Sequence, residues 1–349
     1  MAATVSVIIV LYNNAQDIPL CLDSLLSQAD GSFEVIAYDN ASVDGTRSLI
    51  RDQYPAVRLI EGDRNIGFAA ANNYAVAAAT GDVVVFLNPD TMVEPDWLPP
   101  LIHALDSDPT VGAVTPRLVF FDKPDVVNAC GNEVHLSGVT YCRDLGMPSK
   151  GGRPVEIGAV SGAAFAMRRD LFERLGGFET KFFTYFEDTD LSLRLRCAGF
   201  RCLVAPDSGV RHNYKAVFGA DKIFYLERNR LLSLLSLLNW RLLALVFPSL
   251  LLIEFVAWGY CITQGYRAVV AKARAWREVI RNLPWIRDRR RLWAAKCSQD
   301  AFVLRAFSPR LRIQYVGFGS SGLLRGLEIV GWVTAAPVLG MARLLERRA

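Results

Sequence analysis

The chain has 349 residues, 52% of them hydrophobic, with a mean hydropathy of +0.21, enough for a large core and more than one structural unit and high for a wholly soluble protein. Its formal net charge of +4 conceals a split: residues 1–210 carry 16 Lys+Arg against 27 Asp+Glu, whereas 211–349 carry 23 against 8. A basic tail on an acidic body points to an anionic partner, membrane or nucleic acid, and no nucleic-acid-binding motif accompanies it.

The start, Met-Ala-Ala-Thr followed at once by Val5–Leu11, has neither a basic region nor a small-residue cleavage site, so no signal peptide is expected. The seven cysteines form no Cys-x-x-Cys pair, and Cys130, His135 and Cys142 lack the fourth ligand and spacing of a zinc site; reduced thiols in a cytoplasmic setting are expected.

Val5–Leu11 is a buried-type strand followed by an apolar-periodic helix through Ile18, Leu22, Leu25 and Leu26. Phe33–Asp39 is a second strand, and the polar turn Asn40–Thr46 opens a helix over Arg47–Gln53. Val57–Glu61 is a third strand, Asn65-Ile66-Gly67-Phe68 opens an Ala-rich helix to Ala79, and Val83–Leu87 is a fourth strand. This alternation argues for a parallel sheet. Trp97–Leu105 reads as a helix and Val111–Thr115 as a strand; 120–155 is irregular, Val160–Ala164 returns to a strand of small residues, Leu191–Cys197 is a helix, and Cys202–Ala205 is a strand.

Val83–Leu87 ends on Asn88-Pro89-Asp90, where open α/β sheets hold their ligands, and a carboxylate there suits a hard divalent cation. The same three residues are also ordinary turn formers. The turn after the first strand has neither Gly-x-Gly-x-x-Gly nor Gly-Lys-Ser/Thr, which excludes the dinucleotide fingerprint and the P-loop.

The succession Val5–Asn14, Asp39-Asn-Ala-Ser-Val-Asp-Gly-Thr46, Asn65-Ile-Gly-Phe68 with Asn72, Asn88-Pro-Asp-Thr91, and Gly176-Gly-Phe178 leading into Glu187-Asp-Thr-Asp190 resembles glycosyltransferase family 2, in particular its bacterial rhamnosyltransferase-like branch. The resemblance covers roughly residues 4–230 and implies a GT-A fold, a Rossmann-like nucleotide-sugar-binding domain with a central mostly parallel sheet, over 1–230. It further implies an inverting transferase with a nucleotide-sugar donor and Mg²⁺ or Mn²⁺. On matching positions, Asp39 would accept from the imide N–H of the base, and Tyr12, Asn13, Asn65, Gly67, Asn72 and Asn88 would line the donor. Asp39 also suits a strand-end turn, and Asn65 a helix cap. Asp90 and His212 would hold the metal, with Asn88 standing where the family's Asp-x-Asp has a first carboxylate, a loss that weakens affinity. Arg211 and Lys215 would help neutralise the diphosphate. Asp188 would be the base, with Gly162 and Glu187 near the sugar acceptor; the acidic residues also suit the positive end of a helix dipole, and small residues at 160–164 also suit close packing.

Residues 231–349 read as a helical, basic, membrane-associating region. Leu242–Ile262, with only Glu254 charged, is long enough to span a bilayer, at a cost unless that carboxyl is paired or protonated. Tyr266–Leu283 sets Val269, Ala273, Trp276, Val279, Ile280 and Leu283 on one face and Arg267, Arg274, Arg277 and Arg281 opposite, as in a helix lying in the interface; Arg287, Arg289, Arg290 and Arg291 add attraction to anionic lipid. Leu323–Gly340 is a second apolar segment, broken by Arg325, Glu328 and Pro337. The expectation is monotopic anchoring at the cytoplasmic face of the bacterial inner membrane; the alternatives are one or two spans, a soluble helical subdomain or a homodimer interface. A polyprenyl-linked saccharide acceptor in cell-envelope polysaccharide synthesis fits such a tail. On resemblance the donor is thymidine-diphosphate rhamnose, with uridine-diphosphate hexose or galactofuranose as the rival, and a non-catalytic nucleotide- or saccharide-binding scaffold as the reading of a different class.

Overall fold

In the computed structural model the described residues are 4–28, 33–214, 219–294, 296–297, 300–311 and 335–340. The first half alternates strand and helix as its apolar runs dictate: β1 (Val5–Leu11), α1 (Ile18–Leu26), β2 (Phe33–Asp39), α2 (Thr46–Gln53), β3 (Arg58–Glu61), α3 (Phe68–Ala77) and β4 (Val83–Leu87). Every residue of β1 and β4 is buried, as a strand covered on both faces requires. There follow β5 (Thr91–Val93), α4 (Leu98–Asp106), β6 (Val111–Phe120), β7 (Lys123–Ala129), β8 (Asn132–His135), β9 (Thr140–Cys142), β10 (Val155–Ile157), β11 (Ala164–Arg168), α5 (Arg169–Arg174), α6 (Glu187–Cys197) and β12 (Arg201–His212).

The main sheet runs β10-β12-β6-β11-β4-β1-β2-β3, with β5 added to β12 and β7 to β6. β1, β2, β3 and β4 are mutually parallel, β11 reverses between β4 and β6, and β12 lies parallel to β6. The C-terminal ends of β1, β2, β4 and β12 and the start of β11 therefore share one edge.

The stretch 120–155, expected to be irregular, holds β7, β8, β9 and β10, and β6 continues to Phe120. Pro116, opposite Ala205 in the β6–β12 pairing, interrupts the apolar run and hides that continuation from a sequence reading. Residues 160–163 are not strand: Ser161 bridges to Ala164, and the small residues make the turn into β11.

The chain divides by packing into two units: residues 1–131, 142–191 and 201–215, and residues 132–141, 192–200 and 216–349. The composition break at 230 is displaced because α7 (Ala220–Leu237) runs continuously through it. The second unit continues with α8 (Trp240–Thr263), α9 (Tyr266–Arg281), α10 (Leu283–Ala294), α11 (Asp300–Leu304) and β13 (Phe307–Ser308), which pairs with β8. Within it Cys197 and Cys297 form a disulfide, correcting the expectation that all thiols are reduced; Cys21, Cys130, Cys142, Cys202 and Cys261 are not disulfide-bonded.

Glu254, the charge that made α8 costly as a span, is paired. Its carboxylate accepts from Arg230 on α7 at 2.5 Å, from Lys272 on α9 at 2.9 Å and from Trp276 Nε1 at 2.8 Å. Glu227 completes the quartet by accepting from Arg230 at 2.9 Å and from Lys272. Burial pushes the Glu227 carboxyl up, but the two cations outweigh it and bring it down to about 2. Lys272 is wholly buried, so the face that α9 buries is Ala268, Ala271, Lys272, Ala275 and Val279, rotated from the expected one; Ala273 and Ile280 are exposed. Arg289 donates to Ser236 and Arg290 to the Leu235 carbonyl, which removes both from the set expected to face lipid. The segment 323–334 and Lys215 lie outside the described residues.

Candidate active site

The shared edge of the sheet gathers most of the expected residues. Asp39 ends β2 fully buried; one carboxylate oxygen accepts from Arg47 Nε at 2.5 Å and from the Ser42 N–H at 2.9 Å, while the other, Oδ2, is buried without a partner. A desolvated acceptor of this kind costs about 1–3 kcal/mol until something donates to it.

Beside it, Asn13 adopts left-handed backbone (φ 57°) and ties the end of β1 to the next loop, its N–H donating to Ser42 Oγ and its Oδ1 accepting from the Val43 N–H, both at 2.9 Å. Tyr12 stands about half exposed next to it. Asn65 Oδ1 accepts from the Gly67 N–H at 2.9 Å, and Asn40, overlooked in the sequence although adjacent to Asp39, accepts from the Ile66 N–H at 2.8 Å. Gly67 has φ 87°, and a Cβ there would lie 2.5 Å from the Phe183 ring. Asn72 does not join this group: it is buried in α3 and donates to the Phe68 carbonyl at 2.9 Å, a helix-internal bond that leaves its expected donor contact without support. The neighbouring Asn73 instead clamps Phe178 through its N–H and its carbonyl.

At the end of β4 the Asn88 N–H donates to the Ala163 carbonyl at 2.9 Å, and its own carbonyl accepts from Thr91 Oγ1 at 2.6 Å. The turn sends the chain into β5, whose antiparallel pairing with β12 sets Thr91 opposite His212. Asp90 and His212 consequently meet, Nε2 lying 3.5 Å from Oδ1. Cis ligands of an octahedral Mg²⁺ or Mn²⁺ stand about 3 Å apart, so one carboxylate oxygen and one imidazole nitrogen suit such an ion here. Among the described residues no third His, Cys, Asp or Glu joins them, which leaves the remaining positions for water and a ligand's own oxygens.

Asp188 sits in the first turn of α6, with Oδ2 accepting from the Gly162 N–H at 2.8 Å and Oδ1 from the Thr189 N–H at 2.6 Å. Gly162, expected near a sugar, thus acts on the carboxylate: a Cβ at 162 would stand 3.1 Å from Oδ2. Burial raises the Asp188 carboxyl, against the lowering effect of those hydrogen bonds, and the residue is half-buried. Glu187 is buried, its Oε2 without a partner; desolvation first, and then the Asp188 and Asp190 carboxylates, push it to about 8. At that depth Glu187 is a titrating neighbour of Asp188 rather than a contact for an incoming sugar. The loop leading into them is strained, with Phe183, Tyr185 and Phe186 all at positive φ (67°, 65°, 75°).

The anchored Asp188 carboxylate in the first turn of α6, the Asp90–His212 pair and the orphaned Asp39 oxygen are the polar groups that the described residues offer for catalysis and binding. A model of glycosyl transferase family 2 matches residues 6–176. Over those residues, just under half of its length, the chain carries a glycosyl transferase family 2 domain. It resembles the N-acetylglucosaminyl-diphospho-decaprenol L-rhamnosyltransferase of Mycobacterium tuberculosis (strain ATCC 25618 / H37Rv), with 27% identity over 253 residues that cover 65% of this chain and 81% of that one. Proteins of known structure share the fold. They include the mannosyltransferase PcManGT from Pyrobaculum calidifontis in complex with GDP-Man and Mn²⁺ (TM-score 0.51, 22% identity, 97% of this chain and 87% of that one). Another is S. aureus TarS 1–349 in complex with UDP-GlcNAc (TM-score 0.57, 16% identity, 98% and 92%).

Proposed function

We propose that this glycosyltransferase moves a sugar, with inversion, from a nucleoside-diphosphate donor to a hydroxyl of a lipid-linked saccharide in cell-envelope polysaccharide synthesis. The observation that carries the reading is the Asp188 carboxylate, anchored by Gly162 and Thr189 in a half-buried residue and raised by burial above the ordinary carboxylate value. An acceptor hydroxyl gives its proton to Asp188 as its oxygen attacks C1, and the bond from C1 to the diphosphate oxygen breaks on the opposite face, releasing nucleoside diphosphate. Asp39 Oδ2 is suited to receive the imide N–H of a uracil or thymine base. Asp90 and His212 would hold Mg²⁺ or Mn²⁺, which neutralises charge on the departing diphosphate. Likeness to the decaprenol-linked rhamnosyltransferase favours a thymidine-diphosphate rhamnose donor and a polyprenyl-diphosphate acceptor.

The membrane reading rests on α8 and α9. Trp240, Phe247, Leu251, Phe255 and Ile262 leave one side of α8 exposed and apolar, and Arg267, Arg274, Arg277 and Arg281 are exposed along α9. Glu254 ties α8 to α7 and to α9, whose exposed arginines suit the headgroup plane, and this supports an α8 lying on the membrane rather than across it.

Calorimetry with thymidine- and uridine-diphosphate sugars, each with and without Mn²⁺, tests the donor. Asp188→Asn is expected to keep donor binding and lose about 10²–10⁴-fold in turnover; unchanged turnover sinks the assignment. Phe247→Asp with Phe255→Asp is expected to abolish flotation with anionic vesicles, and unaltered flotation rules out α8 as the contact.

A further inference from the structure

The pairing of β6 with β7 contains an irregularity whose product is aimed at the cation site. Val119 pairs with Val127 and Leu118 with Ala129, so Asn128 is an extra residue inserted between them, a β-bulge of the kind that redirects a side chain. Its buried side chain reaches His212, Oδ1 lying 3.0 Å from Nδ1. With its carbonyl oxygen toward the ring, Asn128 can only accept, which selects the Nδ1–H tautomer of a neutral imidazole and leaves Nε2 with its lone pair. That lone pair converges on Asp90 Oδ1 at 3.5 Å with no hydrogen bond between them, two electron-rich atoms that a cation reconciles. Asn128 Nδ2 is meanwhile buried without a partner, a cost borne by an amide that an apolar side chain would avoid.

We propose that Asn128 is a positioning residue of the metal site: held by a β-bulge, it fixes His212 in the Nδ1–H tautomer and so presents Nε2, together with Asp90, to the cation. The inference rests on reading Asp90 and His212 as metal ligands. Outer-shell partners of ligating histidines commonly alter metal affinity by 10- to 100-fold.

Nitrogen-15 spectra of histidine-labelled, metal-free protein read the tautomer directly, since the chain has only three histidines. His212 is expected to be protonated at Nδ1 in the wild type and in Asn128→Asp, and to shift toward the Nε2–H form in Asn128→Leu. Mn²⁺ affinity measured in the presence of UDP is expected to fall about 10- to 100-fold in Asn128→Leu and to stay within a few-fold in Asn128→Asp. An Nε2–H tautomer in the wild type overturns the proposal even if no variant folds. Equal Mn²⁺ affinity in Asn128→Leu and wild type, with binding lost in Asp90→Ala, overturns it alone; Mn²⁺ binding untouched by Asp90→Ala removes the metal reading and the proposal with it.

Discussion

Replacing Glu187 by Gln preserves the side chain's shape and removes its titration. In the folded enzyme this carboxyl keeps its proton to about 8, against an ordinary value of 4.5. Between those values the folded state binds more protons than the unfolded one, so wild-type stability falls as pH rises, and above 8 the full cost of a buried charge is felt. Linkage over that window gives a loss of about 2–3 kcal/mol between pH 5.5 and 7.5, which Glu187→Gln escapes. At about 2–4 °C per kcal/mol for a unit of 150–250 residues, the variant's Tm should gain about 5–10 °C on the wild type over that interval. Melts of both proteins at the two pH values, followed by circular dichroism, read the difference. Parallel pH profiles would refute the burial argument. Turnover adds a second reading: with one carboxyl titrating instead of a coupled pair, the ascending limb of kcat/KM should move to lower pH.

Three further outcomes follow from the geometry. Glu254→Leu leaves a surplus cation in the quartet and should cost about 3–5 kcal/mol in thermal or urea unfolding, while Glu254→Leu with Lys272→Met should recover most of it; a double variant as unstable as the single one argues against a closed charge network. Reducing Cys197–Cys297, or Cys297→Ser, opens a loop of 100 residues and should lower stability by about 2–5 kcal/mol, checked by melts with and without reductant. Gly67→Ala meets both a left-handed backbone and the Phe183 ring and should cost about 2–4 kcal/mol, with weaker donor binding in calorimetry; a neutral substitution would mean the aromatic loop yields freely.

The sequence made β1, β2 and β4 legible to the residue, because central strands of a parallel sheet are mostly apolar, β-rich runs ended by polar turns. It also placed Asp90 just past a strand end and Asp188 at a helix start, because such boundaries are encoded locally; the roles proposed for them come from the family resemblance. What stayed hidden depends on partners distant in the chain. Asn128 acquires meaning only when β7 is laid beside β6 and β12, and nothing in Val-Val-Asn-Ala announces a bulge. The buried face of α9 is not legible locally, because Lys272 reads as solvent-facing until two glutamates on α7 and α8 stand against it. Cys197 and Cys297, 100 residues apart, carry no spacing signal.

The quartet also bears on biogenesis. To the insertion machinery that samples a nascent chain, 240–263 qualifies as a membrane stop by length and composition. On the peripheral placement proposed above, what overrules that signal arrives from both flanks, Glu227 and Arg230 made before it and Lys272 and Trp276 after it. Topology is then a race between helix pairing and lateral release into lipid, and a charge lost from the quartet should surface as chains whose C-terminal tags stand on the wrong side of the bilayer.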